Sequence, residues 1–208
     1  MKPLVILGAG GLGAEALWVA RDVGEWDPVS FADDDVTKGG HSRGIPITGK
    51  IEAVYESMEP TWFYCAIGDN LARGRVFDRF MAKGWKPAKL VHPSVIMGPG
   101  VEIGDGCYVG AGSILGPDSS LGRGVVINCH VTVGHDSRME EFTQACPGSR
   151  ISGHCQVGAF SFLGSNATLR QGVRLGSGTT VAANSLVVRN VAEGMWIGVP
   201  ARSMSLLS

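Results

Sequence analysis

A histidine followed directly by an aspartate, His135-Asp136, is the pair of residues in this sequence best suited to catalysis. Histidine has an unperturbed pKa that suits a general base near neutral pH. A neighbouring carboxylate favours the imidazolium that forms when the base takes a proton, and it can fix the tautomer of the ring. Acyl transfer from a thioester to an amine or a hydroxyl needs such a base. The alternative interpretation of His135 is a solvated histidine with no chemical role.

A second group of candidate residues lies near the N-terminus and could bind a phosphate. The apolar run Pro3–Leu7 leads into Gly8-Ala9-Gly10-Gly11-Leu12-Gly13 and then into a helical pattern. This arrangement fits G-x-G-x-x-G, in which glycines let the backbone approach a phosphate at a helix N-terminus. A second apolar strand, Val29–Ala32, ends in Asp33-Asp34-Asp35, where an acidic residue would meet a ribose or a base. Glycines that only tighten a turn, with solvated aspartates, are the alternative.

The elements that position this glycine loop alternate between strands and helices. Further apolar or helical patterns predict a helix at Ile51–Met58, a buried strand at Trp62–Ile67 and a helix at Leu71–Lys83, whereas Ile45–Gly49 reads as a loop. Alternation of this kind predicts a parallel sheet with ligands at the carboxyl ends of its strands. Because only one βαβαβ half fits before residue 93, and a dinucleotide site needs two, we expect a mononucleotide or a nucleotide-sugar as the ligand.

The pair His135-Asp136 lies within a stretch that repeats every six residues from Val95 to Val187. A small or β-branched residue precedes most of the repeated apolar residues by two positions, as Cys107 precedes Val109. A strict short period is typical of a parallel β-helix, with one repeat per flat face and three repeats per coil. The apolar positions are Met97, Ile103, Val109, Leu115, Leu121, Ile127, Val133, Met139, Ala145, Ile151, Val157, Leu163, Leu169, Leu175, Val181 and Val187.

Length and composition limit the remaining possibilities. The 208 residues are divided by these patterns into two predicted domains, residues 1–92 and 93–208. A net charge of -1 gives no basic field for nucleic acid or for anionic lipid, so neither is an expected partner. No apolar run is long enough for a signal peptide or a membrane span, which predicts a soluble cytoplasmic protein. Five cysteines without a C-x-x-C motif indicate neither a disulfide framework nor a zinc ribbon.

Taken together, these motifs resemble the bacterial nucleotide-sugar N-acetyltransferases and sialic acid O-acetyltransferases, a family of hexapeptide-repeat acyltransferases. The resemblance covers essentially the whole chain and implies an α/β Rossmann-like half domain followed by an all-β left-handed parallel β-helix. Its best-known members acetylate the 4-amino group of UDP-linked 4-amino-4,6-dideoxy sugars. The matching segments, in chain order, are the glycine loop, Asp33-Asp34, Gly68-Asp69-Asn70, His92-Pro93-Ser94, Gly134-His135-Asp136 and Gly198-Val199-Pro200-Ala201.

The resemblance also implies roles for individual residues. His135 matches the family's proton acceptor, and Asp136 matches the acidic residue that raises its basicity. Acetyl-CoA, the implied co-substrate, would lie between neighbouring subunits of a homotrimer, at positions matching Gln144, Ser165 and Ala183. The nucleotide-sugar would be held at Gly10, Gly11, Leu12, Asp33, Asp34 and Gly68. The family often has histidine where this chain has Gln144 and Leu12. Apart from the resemblance, Asn128 near His135 is a candidate for holding the acceptor sugar, and the alternative is an asparagine that stabilises the stacked strands.

Other functions stay open on the sequence alone. O-acetylation of a sialic acid or of another sugar hydroxyl would use the same base, and the nucleotide could be UDP, dTDP or GDP. His130 and His135 have the spacing of a β-helix metalloenzyme of the carbonic anhydrase type. Zinc in such an enzyme needs three histidines, and the coils before His130 supply no third one. No metal ligand is therefore predicted, and His130 is interpreted as a corner or interface residue. A non-catalytic scaffold or nucleotide sensor is the remaining alternative.

Overall fold

The computed structural model describes residues 1–35 and 40–204. By the density of their internal contacts, the residues form two compact units, Met1–His92 and Pro93–Ser208. No helix in the described part of the chain is both long enough and apolar enough to cross a membrane.

The first unit is built around a mainly parallel sheet with strand order β3-β4-β2-β1-β5-β6. Its elements are β1 (Lys2–Leu7), α1 (Gly11–Val23), β2 (Trp26–Ala32), β3 (His41–Ser42), β4 (Ile45–Gly49), α2 (Ile51–Ser57), β5 (Trp62–Cys65), α3 (Asn70–Ala82), β6 (Lys86–Pro87) and β7 (Leu90–Val91). Strand β1 is central because it is apolar from Leu4 to Leu7 and buried on both faces there. It pairs in parallel with β2 on one side and β5 on the other, so the chain changes direction across the sheet beside β1.

One sequence prediction for this unit was wrong. The segment Ile45–Gly49 is the strand β4, which pairs in parallel with β2 and antiparallel with the short β3. Its side chains alternate between half-buried and exposed positions, and it contains a proline. Such a short, half-exposed strand near the sheet edge gives little apolar signal in the sequence.

The second unit is a left-handed parallel β-helix with three flat faces. Its strands are β8 (Ile96–Met97), β9 (Glu102–Ile103), β10 (Tyr108–Val109), β11 (Ile114–Leu115), β12 (Ser120–Leu121), β13 (Val126–Ile127), β14 (Thr132–Val133), β15 (Arg138–Met139), β16 (Gln144–Ala145), β17 (Arg150–Ile151), β18 (Gln156–Val157), β19 (Phe162–Leu163), β20 (Thr168–Leu169), β21 (Arg174–Leu175), β22 (Thr179–Val181), β23 (Leu186–Val187), β24 (Gly194–Ile197) and β25 (Arg202–Ser203). From β8 to β22, every third strand lies in the same sheet, so a residue pairs with the one a full coil further on, as Ile127 does with Ala145.

Two inward-facing rows of side chains fill the interior of the β-helix. The repeated apolar residues are buried from Val109 to Val187, and only at the first coil are Met97 and Ile103 more exposed. The small residues two positions earlier are buried as well, including Ser113 and Thr143. Several buried hydroxyls donate to a nearby carbonyl, as Ser113 does to that of Asn128 at 2.9 Å, whereas the hydroxyl of Ser119 has no partner among the described residues. The interior is thin because each repeat contributes only one large and one small side chain.

Each repeat ends in a corner at which one residue has a left-handed backbone conformation. The positions from 100 to 184, taken every six residues, all have positive φ, and they include Asp118 (φ 55°), Asp136 (φ 56°) and His154 (φ 58°) as well as several glycines. Glycine, Asn and Asp tolerate this conformation best, and β-branched residues tolerate it least. No β-branched residue occupies any of these positions. The same positions include Phe142 and Phe160, so the corners exclude β-branched residues but admit some bulky ones.

We predict that the corner at Asp118 discriminates sharply between substitutions. Asp118→Gly should keep or raise stability, whereas Asp118→Val should lower the free energy of unfolding by roughly 1–2 kcal/mol or more, because a left-handed conformation strains a β-branched residue. Ser120→Val, two residues on in strand β12, is the control and should cost little, since strands favour valine. Chemical unfolding measures all three variants. Equal stability of the Val and Gly variants at position 118 would contradict this account of the corners.

Candidate active site

His135 and Asp136 form a hydrogen-bonded pair at one corner of the β-helix. Nδ1 of His135 lies 2.7 Å from Oδ2 of Asp136, and the two side chains are 51% and 47% exposed. An ionised carboxylate can only accept, so Nδ1 carries the proton and donates it to the hydrogen bond. Nε2 is then the unprotonated nitrogen of the neutral ring. The hydrogen bond to Asp136 orients the His135 ring and leaves Nε2 as the nitrogen that can accept a proton.

A second histidine, which the sequence did not single out, completes this corner. His154 lies one coil after Asp136, and its Nδ1 is 3.8 Å from the same oxygen, Oδ2. The rings of His135 and His154 meet edge to face, with their centroids 4.9 Å apart. A single sequence carries no local signal for this contact, because the two residues lie nineteen positions apart. The period of eighteen residues per coil was the only available clue.

The geometry of stacked corners explains why the two histidines converge. Side chains at the left-handed positions lie over the preceding coil: a Cβ added to Gly112 would fall 2.6 Å from the ring of His130, the residue one coil later. His135 precedes such a position and leans the other way, so that its Nε2 would lie 2.5 Å from a Cβ on Gly153, one coil further on. The His154 side chain points toward the preceding coil, and the His135 side chain points toward the following coil. The backbone fixes this offset, because the His154 N–H donates to the His135 carbonyl at 2.9 Å.

The electrostatics of the cluster favour an ionised Asp136. The pKa of its carboxyl is held below its usual range, first because His135 donates a hydrogen bond to it, and then because of the positive charge that His154 and His135 can carry. All three side chains are about half exposed, so water and salt screen their interaction. We therefore expect this pair to contribute little to stability.

Gly153 lies directly beneath the imidazole of His135. It is buried, and any side chain at this position would collide with the ring. Within the described residues its N–H donates no hydrogen bond to the backbone ladder or to a side chain. Gly153 lies one full coil beyond His135 in the sequence.

In the first unit, the glycine loop connects β1 to α1 at the carboxyl end of the sheet. Gly8 has φ 106°, and a Cβ on it would lie 2.8 Å from the Ala66 carbonyl oxygen that follows β5. Gly13 packs against the Gly8 carbonyl so closely that it too has no room for a side chain. In contrast, Gly10 and Gly11 have open space around them. The first pair of glycines shapes the loop, and the second pair leaves its backbone accessible.

The two aspartates that were predicted to bind the nucleotide-sugar both hold backbone groups in this structure. Asp33 follows β2, and its Oδ2 accepts a hydrogen bond from the Ala9 N–H of the glycine loop at 2.6 Å. Oδ1 of Asp34 accepts from the N–H of Ile51, the first residue of α2, at 3.0 Å. Asp33 therefore joins the ends of two neighbouring strands, and Asp34 caps a helix. A ligand would share these carboxylates with the backbone.

The remaining predicted residues of the first unit lie at the same end of the sheet. Gly10 is the N-cap of α1, Gly11 and Leu12 are its first two residues, and Gly68 is exposed in the loop between β5 and α3. The α3 end of that loop is held by Arg73, only 1% exposed, which donates to the Ile67 carbonyl and to the Asn70 side chain. Arg73 was not among the site residues predicted from the sequence. These two hydrogen bonds hold the loop that contains Gly68, which is part of the predicted nucleotide site.

The predicted acetyl-CoA residues lie on a different side of the β-helix from His135. Ser165 and Ala183 stack one coil apart at one corner, where the Asn184 N–H donates to the Ser165 carbonyl at 2.9 Å. Gln144 lies on the face leading to that corner, and within the described residues its buried Oε1 has no hydrogen-bond partner. Asn128 begins the turn after β13 and is only 5% exposed. A single chain does not bring these residues together with His135.

Comparison with known proteins agrees with both units. Residues 3–80 match the model of the PglD N-terminal domain, and residues 93–117 and 156–189 match the hexapeptide repeat of succinyl-transferase. A search of curated protein sequences finds no match.

Solved structures match over nearly the full length of the chain. The acetyltransferase domain of PglB from Neisseria gonorrhoeae is 30% identical, with a TM-score of 0.94 over 98% of this chain and all of that one. The same domain has been solved with acetyl coenzyme A, at a TM-score of 0.93, 30% identity and coverage of 98% and 99% of the two chains. PerB from Caulobacter crescentus, solved with CoA and GDP-perosamine, is 31% identical over 97% of each chain, with a TM-score of 0.89. This chain belongs to the nucleotide-sugar N-acetyltransferase family of left-handed β-helix, hexapeptide-repeat acyltransferases.

The hydrogen bond between His135 and Asp136 can be tested without measuring any activity. In an NMR titration, the Asp136 carboxyl should titrate below about 3.9, the ordinary value for aspartate, and His135→Asn should raise its midpoint. Because the pKa is depressed in the folded state, any stability that the pair adds is present above the unfolded value and is lost as the pH falls through the folded value. His130→Asn, the control, should leave Asp136 unchanged. If the Asp136 carboxyl titrates at the ordinary value for aspartate, and His135→Asn does not change its midpoint, the pairing is contradicted.

Proposed function

We propose that this protein transfers the acetyl group of acetyl-CoA to the amino group of a nucleotide-linked (UDP, dTDP or GDP) 4-amino-4,6-dideoxy sugar. The observation that carries the proposal is the hydrogen bond at His135, whose Nδ1 lies 2.7 Å from Oδ2 of Asp136 and whose Nε2 is the other ring nitrogen. Relatives solved with acetyl coenzyme A and with CoA and GDP-perosamine support both the donor and the class of acceptor.

In the proposed reaction, the acceptor amine attacks the thioester carbonyl carbon directly. Nε2 of His135 removes a proton from the attacking nitrogen, and Asp136 stabilises the imidazolium that results. The tetrahedral intermediate collapses by breaking the C–S bond, and the imidazolium returns its proton to the departing CoA sulfur. No covalent acetyl-enzyme is formed. His135 thus serves as base in the first half of the reaction and as acid in the second.

Gly153 is the proposed donor to the oxyanion of this intermediate. Among the described residues its N–H donates no hydrogen bond, and a Cβ on this glycine would lie 2.5 Å from Nε2 of His135. A backbone donor aimed at developing charge commonly contributes about 10²- to 10³-fold to kcat.

The two substrates are assigned to different parts of the chain. The first unit would hold the nucleotide-sugar at Gly10, Gly11, Leu12, Asp33, Asp34 and Gly68, where open glycines and a helix N-terminus favour phosphate. Acetyl-CoA would lie along the corner formed by Ser165 and Ala183, with Gln144 nearby. Since that corner is not the one that carries His135, the donor would reach the base of a neighbouring chain, which is why we propose a homotrimer. Asn128 is the candidate for an acceptor contact within that assembly.

A panel of acceptors tests the proposed function. CoA release should occur with nucleotide-linked 4-amino sugars and fail with the matched nucleotide sugar that carries a 4-hydroxyl, because the amine is the stronger nucleophile once deprotonated. Release is followed with a thiol reagent, separately for UDP-, dTDP- and GDP-linked compounds. Activity confined to sialic acid or to sugar hydroxyls would replace the proposal with O-acetylation, and no release with any acceptor would reject it.

The role of His135 makes a separate kinetic prediction. His135→Ala should lower kcat by roughly 10²- to 10⁴-fold with smaller changes in KM, as expected for a positioned general base. Asp136→Asn should cost less, because the base remains but loses its orienting charge. Cys129→Ala and Cys146→Ala are controls and should be nearly silent. Ping-pong kinetics, or an acetylated cysteine found by mass spectrometry, would show that direct transfer is wrong.

A further inference from the structure

We propose that His135, Asp136 and His154 form a binding site for one divalent transition-metal ion, with Zn²⁺ as the expected occupant. One nitrogen from each histidine and one oxygen of Asp136 all lie within 4.8 Å of one another. The spacing H-x4-H between His130 and His135 pointed to a different pair in the sequence. In the structure the second imidazole comes instead from the following coil.

The distances in this cluster suit a metal ion. Ligands about 2.1 Å from a zinc ion are roughly 3.0–3.4 Å from each other for coordination angles between octahedral and tetrahedral. The pair distances to Oδ2 of Asp136, 2.7 Å from His135 and 3.8 Å from His154, lie on either side of that range. All three ligand atoms lie within 4.8 Å of one another, so movements of roughly an ångström in the exposed side chains would bring them to an ion.

The chemistry of the ligands selects the kind of ion. Two imidazoles and one carboxylate suit Zn²⁺, Ni²⁺, Co²⁺ or Cu²⁺, whereas Mg²⁺ and Ca²⁺ prefer sites made of oxygen atoms. Three protein ligands leave further coordination positions open to water. The backbone does not have to rearrange, because the ladder bond from His154 N to His135 O already sets the separation of the two coils.

Metal binding has a consequence that rests on the proposed function. An ion here occupies a ring nitrogen of His135 and an oxygen of Asp136, which are the groups of the proposed base and its orienting partner. It also adds positive charge where an imidazolium must form. Zn²⁺ would thus inhibit acetyl transfer, because the ion and the proton taken from the substrate would compete for His135.

The binding test uses the full chain, free of affinity tags and treated with a chelator. Titration calorimetry with ZnCl₂ should show one ion per chain, and His154→Asn should weaken binding by at least about tenfold, since even loss of an outer-shell partner costs roughly 10- to 100-fold. His130→Asn is the matched control: the same substitution at another left-handed corner (φ 58°), outside the cluster, should leave the affinity unchanged. The absorption spectrum with Co²⁺ should lack a thiolate band, and Mg²⁺ should not compete.

Several outcomes would overturn the metal site. They are an absence of Zn²⁺ binding at millimolar concentration, an equal loss of affinity in His130→Asn and His154→Asn, or a thiolate band with Co²⁺. Inhibition separates this inference from the proposed function. The Zn²⁺ inhibition constant, relative to each variant's own uninhibited rate, should rise in His154→Asn by the same factor as the dissociation constant. Zn²⁺ binding without inhibition, or in a protein without transferase activity, leaves the metal site standing and contradicts the role given to His135.

Discussion

The left-handed corner that recurs every six residues is the constraint on which the β-helix depends. Each coil must turn three times within eighteen residues, and the backbone achieves this with a positive φ at each turn. Next to these turns, coils pack so closely that glycine is required: a Cβ on Gly134 would lie 2.5 Å from the Gly153 nitrogen of the following coil. The same constraint gives Asp136 its place, because aspartate is one of the few residues that tolerate this conformation and also carry a charge.

Because the coils stack, the left-handed corners bring His135, Asp136 and His154 together. Residues separated by a full coil are direct neighbours, so Phe142 and Phe160 stack at one corner, with ring centroids 5.5 Å apart, while Asp136 and His154 meet at another. Placing His135 one residue before the left-handed position turns its ring toward the next coil. The cluster therefore arises from backbone geometry and needs no core packing of its own. Its exposure keeps the charges hydrated and accessible to a substrate.

In the first unit, residues that were predicted to bind the ligand also hold the loops in place. Asp33 ties the glycine loop to the end of β2, and Asp34 caps α2. Beneath the neighbouring loop, the buried Arg73 holds the Ile67 carbonyl. A polar network of this kind is pre-ordered, so a ligand that binds there does not have to organise the loops itself. The acidic pair has a structural role whether or not it contacts a nucleotide.

The sequence by itself determined the architecture of the second unit, because a six-residue period repeated from Met97 to Val187 has one simple solution, in which two rows of side chains face inward. It also identified the glycine loop and the pair His135-Asp136, since these are adjacent residues of distinctive type. It mistook β4 for a loop, because a short, half-exposed strand near the sheet edge lacks an apolar run. Only the tertiary structure decided that His154 joins Asp136, that Asp33 and Asp34 bind backbone groups, and that Ser165 and Ala183 lie away from His135. These outcomes depend on the direction in which each side chain leans, and that is set by backbone dihedrals and by contacts between residues far apart in the chain.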